Sequence, residues 1–279
     1  MDLVTMLDKE SKIIFYFFLF ILLVSLTHPV VASTIHHHKK KKAHSSFTHS
    51  KKKHFHKKTS QKIVSKKKEI LKSPPAYFAA TIEGRLIHFV YTLVNTVRYS
   101  VYKLGGSRFD TSHGIYIVDC SAYVDHVLRT IYPKAYSRLA EETGSDKPTS
   151  EHYYNFFNQL PDSPSLYWNK IDDVNQLRPG DILVFRYRNT RGNETSGHVM
   201  IVMNKPILDE DGFLVRVSDS APHGHSKDTR SVSHSGIGIG TLLLKVNPET
   251  DKPNAYAWKI GAHFKKNVAF AMARPVNSH

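Results

Sequence analysis

Cysteine occurs once in this chain of 279 residues, at Cys120 within Val118-Asp119-Cys120-Ser121-Ala122-Tyr123-Val124. Apolar residues follow it at helical intervals: Tyr123, Val124, Val127, Leu128 and Ile131. Asp119 is a residue type that opens helices, so the pattern predicts a helix whose first turn holds Cys120. Unpaired N–H groups and the positive end of the helix dipole sit there. Both favour a thiolate, the nucleophilic form of the side chain. Taken alone, a single cysteine is as readily a small buried hydrophobe. Thiol chemistry also needs a base within hydrogen-bond reach and a third group that orients the base.

Two later residues answer that requirement. His198 opens an apolar run, Gly197-His198-Val199-Met200-Ile201-Val202, where an imidazole without a partner would be costly. Asp219 ends the next alternating run, with Phe213, Val215 and Val217 on one face. On a neighbouring antiparallel strand it would reach the far imidazole nitrogen and fix the tautomer. His223 competes for that orienting role. His223, His225 and His234 also suggest a loop metal site, but no further ligands of clear type accompany them, so no metal is assigned. Gly236-Ile237-Gly238-Ile239-Gly240 precedes a strand-like run rather than the helix that a phosphate-cradling loop needs. It is read as backbone that passes close to another group, with the cleft as one candidate.

The elements that position these residues are predicted as follows. Apolar residues from Ala76 to Val101 fall at helical spacing and predict one long amphipathic helix, closed at or just before Gly105-Gly106. A polar loop leads from there to Asp119. Pro133–Lys170 is rich in turn residues and reads as an insertion beside the cleft, with a short helix at Ser150–Gln159. Strands are predicted at Asp181–Tyr187, His198–Met203, Phe213–Asp219, Thr241–Val246, Tyr256–Ile260 and Ala269–Ala273. Helices followed by strands give an α+β plan, with N-terminal helices packed on one side of a central antiparallel β-sheet.

The flanking composition bounds location and partners. The formal net charge is +15, and nearly all of the excess lies between Ser33 and Lys72. The basicity therefore describes a tail, not a folded nucleic-acid-binding surface, and nucleic acid is not an expected partner. Ile13–Leu26 carries no charge and suits the core of a secretory signal, with a cut after Ala32, or else an uncleaved anchor. Residues 1–32 are thus read as signal and 33–73 as a disordered Lys/His-rich tether, ahead of a catalytic domain at 74–279. The protein is expected to be exported, periplasmic or secreted, and held at a membrane only if the signal is retained. The tether's polycation would favour anionic envelope polymers. Its histidines lack the spacing of a formed metal site.

Taken together, these pieces resemble the NlpC-type, papain-like cysteine peptidases of bacterial cell walls. The matching residues are Tyr102 ahead of Gly105-Gly106, then Asp119-Cys120-Ser121, Leu177-Arg178-Pro179-Gly180-Asp181 and Gly197-His198-Val199. The resemblance spans roughly Tyr102 to Ser220 and implies a papain-like fold. It also implies Cys120 as nucleophile, His198 as general base and then acid, and Asp219 or His223 as orienter. Tyr102 would lie beside nucleophile and substrate. Ser121 and the backbone N–H of Cys120 would lie at the oxyanion. No cofactor is implied, and the substrates would be amide bonds of peptidoglycan stem peptides. The chain departs from the family where the third residue is most often histidine, at Ala122 in place of a glycine, and in the wide spacing of Cys120 and His198. Two other readings stand beside this one. The same thiol chemistry could serve as an amidase or acyltransferase on a different amide, or the protein could be a non-catalytic envelope binder anchored by its tail.

Overall fold

The computed structural model describes residues 80–188, 197–231 and 233–277, all within one unit that runs from Ser65 to His279. The signal, the tether and the tether's histidines lie outside the described residues. Helix α1 is Ile82–Thr96, capped by Thr81, whose hydroxyl accepts from the Gly84 amide at 3.0 Å. Leu86, Ile87, Val90, Leu93 and Val94 form its buried face. It ends five residues earlier than the sequence predicts. Val97 and Val101 continue the i, i+4 spacing from Leu93, but Val97 has already left helical geometry at ψ 120°. The next residues, rich in aromatic and β-branched side chains, take the strand that suits them.

That strand, β1 (Tyr99–Tyr102), belongs to a three-stranded sheet with β2 (Ser107–Asp110) and β3 (Ile115–Val118), in the order β1-β3-β2. The sequence predicts a polar loop here. The strands are four residues each, too short for their alternation to be read, and β2 carries exposed polar positions. Gly105 has φ +70°, and the Gly106 amide closes a turn on the Lys103 carbonyl at 2.8 Å. A Cβ on Gly106 would stand 2.8 Å from the Ile117 carbonyl oxygen, so the glycine pair lets this turn lie against β3.

Three helices follow. α2 is Cys120–Ile131, α3 is Pro133–Thr143, and α4 is Ser150–Gln159. α3 is not predicted by the sequence, where Pro133 opens a stretch read as turn-rich; in the structure it starts the helix at its first position. α4 opens on Thr149 in a capping box with His152. Residues of the segment read as an insertion pack into the interior. Leu139, Tyr153, Phe157 and Trp168 share one apolar cluster with Val124, Val127 and Leu128 of α2. The Trp168 indole also donates to the Ala135 carbonyl at 2.8 Å.

The remaining strands are β4 (Trp168–Ile171), β5 (Ile182–Tyr187), β6 (Gly197–Val202), β7 (Ile207–Asp209), β8 (Gly212–Ala221), β9 (Gly236–Val246), β10 (Pro253–Ala257) and β11 (Val268–Pro275). They form one eight-stranded sheet in the order β10-β9-β8-β6-β5-β11-β4, with β7 beside β8, and every pairing is antiparallel. The architecture is mixed α+β, with N-terminal helices packed against a central antiparallel sheet. Strand alternation divides its side chains. Ile182, Val184, Val199 and Ile201 face the helices, whereas Leu183, Phe185, Met200 and Val202 face away. The far face is covered by the sheet's own curl: Tyr256 of β10 stacks on Phe185 of β5 at 4.4 Å, although the two strands are not neighbours. The glycine-rich run is not a stretch ahead of a strand; it is the first half of β9, paired with Val217–Ala221 of β8. Among the described residues, no helix is long and apolar enough to cross a membrane.

Candidate functional site

Asp119 fixes the start of α2 and ties it to the glycine turn. Its Oδ1 accepts from the Ala122 amide at 2.8 Å and from the Ser121 hydroxyl at 3.0 Å, and its Oδ2 accepts from the Gly105 amide at 2.8 Å. Cys120 is thus the first residue of the helix, in the turn whose amide groups lack carbonyl partners. Ser121, predicted at the oxyanion, turns its hydroxyl to the cap. Tyr102 ends β1 just before that turn, and its backbone amide donates to the Ser235 hydroxyl at 3.2 Å. Burial raises the pKa of its phenol, and the neighbouring Cys120 and Asp119 charges raise it further, so the hydroxyl stays a donor.

His198 reaches this point from β6. Gly197, just before it, passes so close to β5 that a Cβ would lie 2.0 Å from the Phe185 carbonyl oxygen. Only glycine permits that approach, and the strand enters the sheet with the imidazole at its mouth. Val202 pairs with Val217, so His198 and Asp219 share a face and lie diagonally across β6 and β8. His198 Nε2 and Asp219 Oδ2 are 2.6 Å apart, and Cys120 is near enough to the imidazole for its charge and a side-chain hydrogen bond to act on the ring. Thiol, imidazole and carboxylate therefore stand in one row. Cys120 and His198 are each 6 % exposed and Asp219 is 0 %, so the carboxylate end of the row is sealed from solvent. His223 is not a partner of His198; its backbone carbonyl accepts from the Trp258 indole at 3.2 Å.

Burial opposes a charge on His198, but the Cys120 charge and the hydrogen bonds to Asp219 and Cys120 outweigh it and raise the imidazole to about 10. Asp219 moves the other way. Burial alone would raise its carboxyl, yet the charges of His225 and Arg230 and the bonds from both imidazoles hold it well below the usual carboxylate range. His198 is thus favoured in its charged form beside a carboxylate that stays ionised.

Several residues of this site escape sequence reasoning. Residues 222–235, between β8 and β9, fold back along β9: Ser226 and Thr241 exchange backbone bonds, and the Thr229 amide donates to the Ile239 carbonyl at 2.9 Å. This loop delivers His225 to Asp219 Oδ2 at 2.9 Å and Arg230 to Asp219 Oδ1 at 2.9 Å. Arg230 is held in turn by both oxygens of Asp228, at 2.8 Å each, and by the Gly236 carbonyl at 2.8 Å. Trp258 covers both imidazoles, with ring centroids 5.2 Å from His198 and 4.1 Å from His225. The one sequence signal for this cluster is the glycine pattern. A Cβ on Gly238 would lie 2.5 Å from Arg230 Nε, and one on Gly240 would lie 2.4 Å from an Asp228 carboxylate oxygen and 2.7 Å from His225 Cβ. Gly240→Ala is therefore expected to cost about 1–3 kcal/mol, the usual penalty of overpacking. It should also lower turnover at least tenfold by displacing His225, read by thermal melts beside steady-state rates. The three histidines considered as a metal loop go separate ways, and among the described residues no group of three or more His, Cys, Asp or Glu is arranged to hold a metal ion.

Asp125, on α2, is a buried carboxyl outside this row, with the Tyr153 hydroxyl donating to it at 2.7 Å. Burial pushes it up to about 7, against the smaller lowering effects of the Tyr153 bond and the Arg129 charge. Its folded value exceeds its unfolded one, so the native state holds the proton more tightly. Stability then falls as pH rises from about 4 through 7. Asp125→Asn removes that loss and keeps an oxygen for Tyr153. The variant is expected to melt higher than the parent at pH 8, by roughly 2 kcal/mol of stability, and to lose that advantage at pH 4, as measured by denaturant titration at the two pH values.

No family model matches the chain, and no solved structure matches it significantly. Over 166 residues the chain is 24% identical to the uncharacterized protein R653 of Acanthamoeba polyphaga mimivirus, a match that covers 52% of this chain and 69% of that protein.

Proposed function

We propose that this protein is a papain-like cysteine peptidase of NlpC type that hydrolyses amide bonds in peptidoglycan stem peptides. The observation that carries the reading is the row of Cys120, His198 and Asp219, with the sulfur at a helix N-terminus and the carboxylate fully buried. The substrate class rests on the resemblance of the Tyr102, Asp119-Cys120, Pro179-Gly180-Asp181 and Gly197-His198 motifs. Each has a physical task here. The Pro-Gly-Asp turn, for example, ends in Asp181, which receives Arg274 Nε of β11 at 2.7 Å and so anchors the start of β5.

In the reaction, the Cys120 thiolate attacks the amide carbon and forms a C–S bond. The Cys120 backbone N–H, at the helix N-terminus, and the Tyr102 hydroxyl are the donors this reading assigns to the developing oxyanion. His198 passes its proton to the leaving amine as the C–N bond breaks. It then takes a proton from the water that attacks the thioester, and the acid product leaves with Cys120 restored. Asp219 holds the ring so that one nitrogen always faces sulfur. Export through the 13–26 run and retention near anionic polymers by the 33–72 polycation fit this reading.

The test is digestion of purified peptidoglycan and soluble muropeptides by the full chain, followed by mass spectrometry, with Cys120→Ser as control. The expected result is a defined pair of peptide fragments, one with a new amine and one with a new carboxyl, absent in the control. A thiol that reacts rapidly below pH 7 without any such fragments would overturn the peptidoglycan assignment and favour another amide. A thiol without that reactivity would overturn the thiol chemistry itself.

A further inference from the structure

We propose that His225 and Arg230 are positioning residues that clamp Asp219 and thereby set the charge pairing of His198 with Cys120. The proposal rests on the thiol-peptidase reading above and extends it from three residues to a built second layer. Asp219 has two oxygens, and both are committed. Oδ2 lies between two imidazoles, 2.6 Å from His198 Nε2 and 2.9 Å from His225 Nε2. Oδ1 accepts from Arg230 Nη2 at 2.9 Å. A carboxylate held by one imidazole alone could rotate about its Cβ–Cγ bond and release the ring. Held from three sides, it cannot.

The clamp is itself fixed. His225 Nδ1 lies 3.3 Å from the Trp258 carbonyl oxygen, so both ring nitrogens face acceptors. The His225 backbone amide donates to Asp228 Oδ2 at 2.7 Å. Arg230 bridges Asp219 and Asp228 and bonds the Gly236 carbonyl, and both carboxylates are almost fully buried. Glycines at 238 and 240 leave the room for this cluster to lie flat on β9. The charged and titratable groups around Asp219 are therefore His198 from β6, His225, Asp228 and Arg230 from the loop, Cys120 and Tyr123 from α2, and Tyr102 from the end of β1. The cluster is too ordered for a loop whose only task is to join two strands. A carboxylate that merely stabilised the fold would also not need an imidazole on each side of the same oxygen.

The test uses the full chain and iodoacetamide. Cys120 is the only thiol, so the alkylation rate against pH reads that sulfur alone. In the parent, rapid alkylation at pH 6 is expected. His225→Leu and Arg230→Met are each expected to slow it at least tenfold at pH 6, yet to stay within threefold of the parent at pH 9.5. His225→Gln, whose amide nitrogen stands where Nε2 does, should recover more than half of the lost rate. His225→Asn, which is too short to reach Asp219, should not. This amide pair differs by one methylene, so it decides the matter even if the leucine or methionine variant fails to fold. A parent that is fast at pH 6 with all variants following it would overturn the clamp and leave the proposed function standing. A parent that is slow at pH 6 would overturn the proposed function and the clamp with it.

Discussion

His198→Ala is expected to abolish turnover, by about 10²–10⁴-fold for the loss of general acid–base catalysis. It should also remove the low-pH reactivity of Cys120. The imidazole is held at about 10 by the Cys120 charge and by the Asp219 and Cys120 hydrogen bonds, against the cost of its burial. In the proposed reaction it is therefore the cation across neutral pH that carries the proton needed by the leaving amine. Without it, alkylation of Cys120 should rise with pH as it does for a thiol with no ion-pair partner. The difference between parent and variant is greatest near pH 6 and closes as pH approaches 10.

The same shift predicts a stability profile. A histidine whose folded pKa exceeds its ordinary value near 6.5 adds stability that is complete below that value and lost as pH climbs through about 10. The parent's melting temperature should therefore decline between pH 7 and 10, and that of His198→Ala should decline less. Equal slopes in parent and variant would remove the electrostatic basis of the proposed chemistry.

Much of this site was legible before any coordinates. Tyr123, Val124, Val127 and Leu128 repeat with the period of a helix, and Asp119 is where a cap belongs; both features are local. The alternation of Phe213, Val215 and Val217 placed Asp219 on a defined face, and antiparallel pairing did the rest. What was hidden depends on contacts that no period records. β1 to β3 are four residues each and β2 is half-polar, so their pairing is visible only once the strands meet. Pro133 reads the same whether it breaks a helix or begins one. Arg230 and Asp228 fall in a loop without periodicity, and their role depends on that loop folding back over β9. Only Gly238 and Gly240 signalled that something must lie there, without saying what. His225 enters the sequence reading only as one of three loop histidines to which no metal is assigned, and nothing in the chain order shows that the fold makes it a hydrogen-bond partner of Asp219.

Asp219→Asn is the substitution expected to damage both stability and function most. It replaces one carboxylate oxygen with an N–H₂ group, while the three neighbours, His198, His225 and Arg230, all present donors. At least one buried donor then faces a donor, and Arg230 is left with Asp228 as its single counter-charge. Breaking a buried ion pair in this way costs about 3–5 kcal/mol. For a domain of this size that corresponds to a fall in melting temperature of about 10 °C. Activity should fall by about 10²–10⁴-fold, since the His198 ring loses the partner that aims it at sulfur. The pH dependence separates this from generic damage. A carboxyl held well below its ordinary value contributes stability above pH about 4 and loses it as pH falls further. The gap between parent and Asp219→Asn should therefore narrow in melts below pH 4. A gap that stays constant with pH would mean that the lost interaction is packing, and that the charge on Asp219 does not hold this site together.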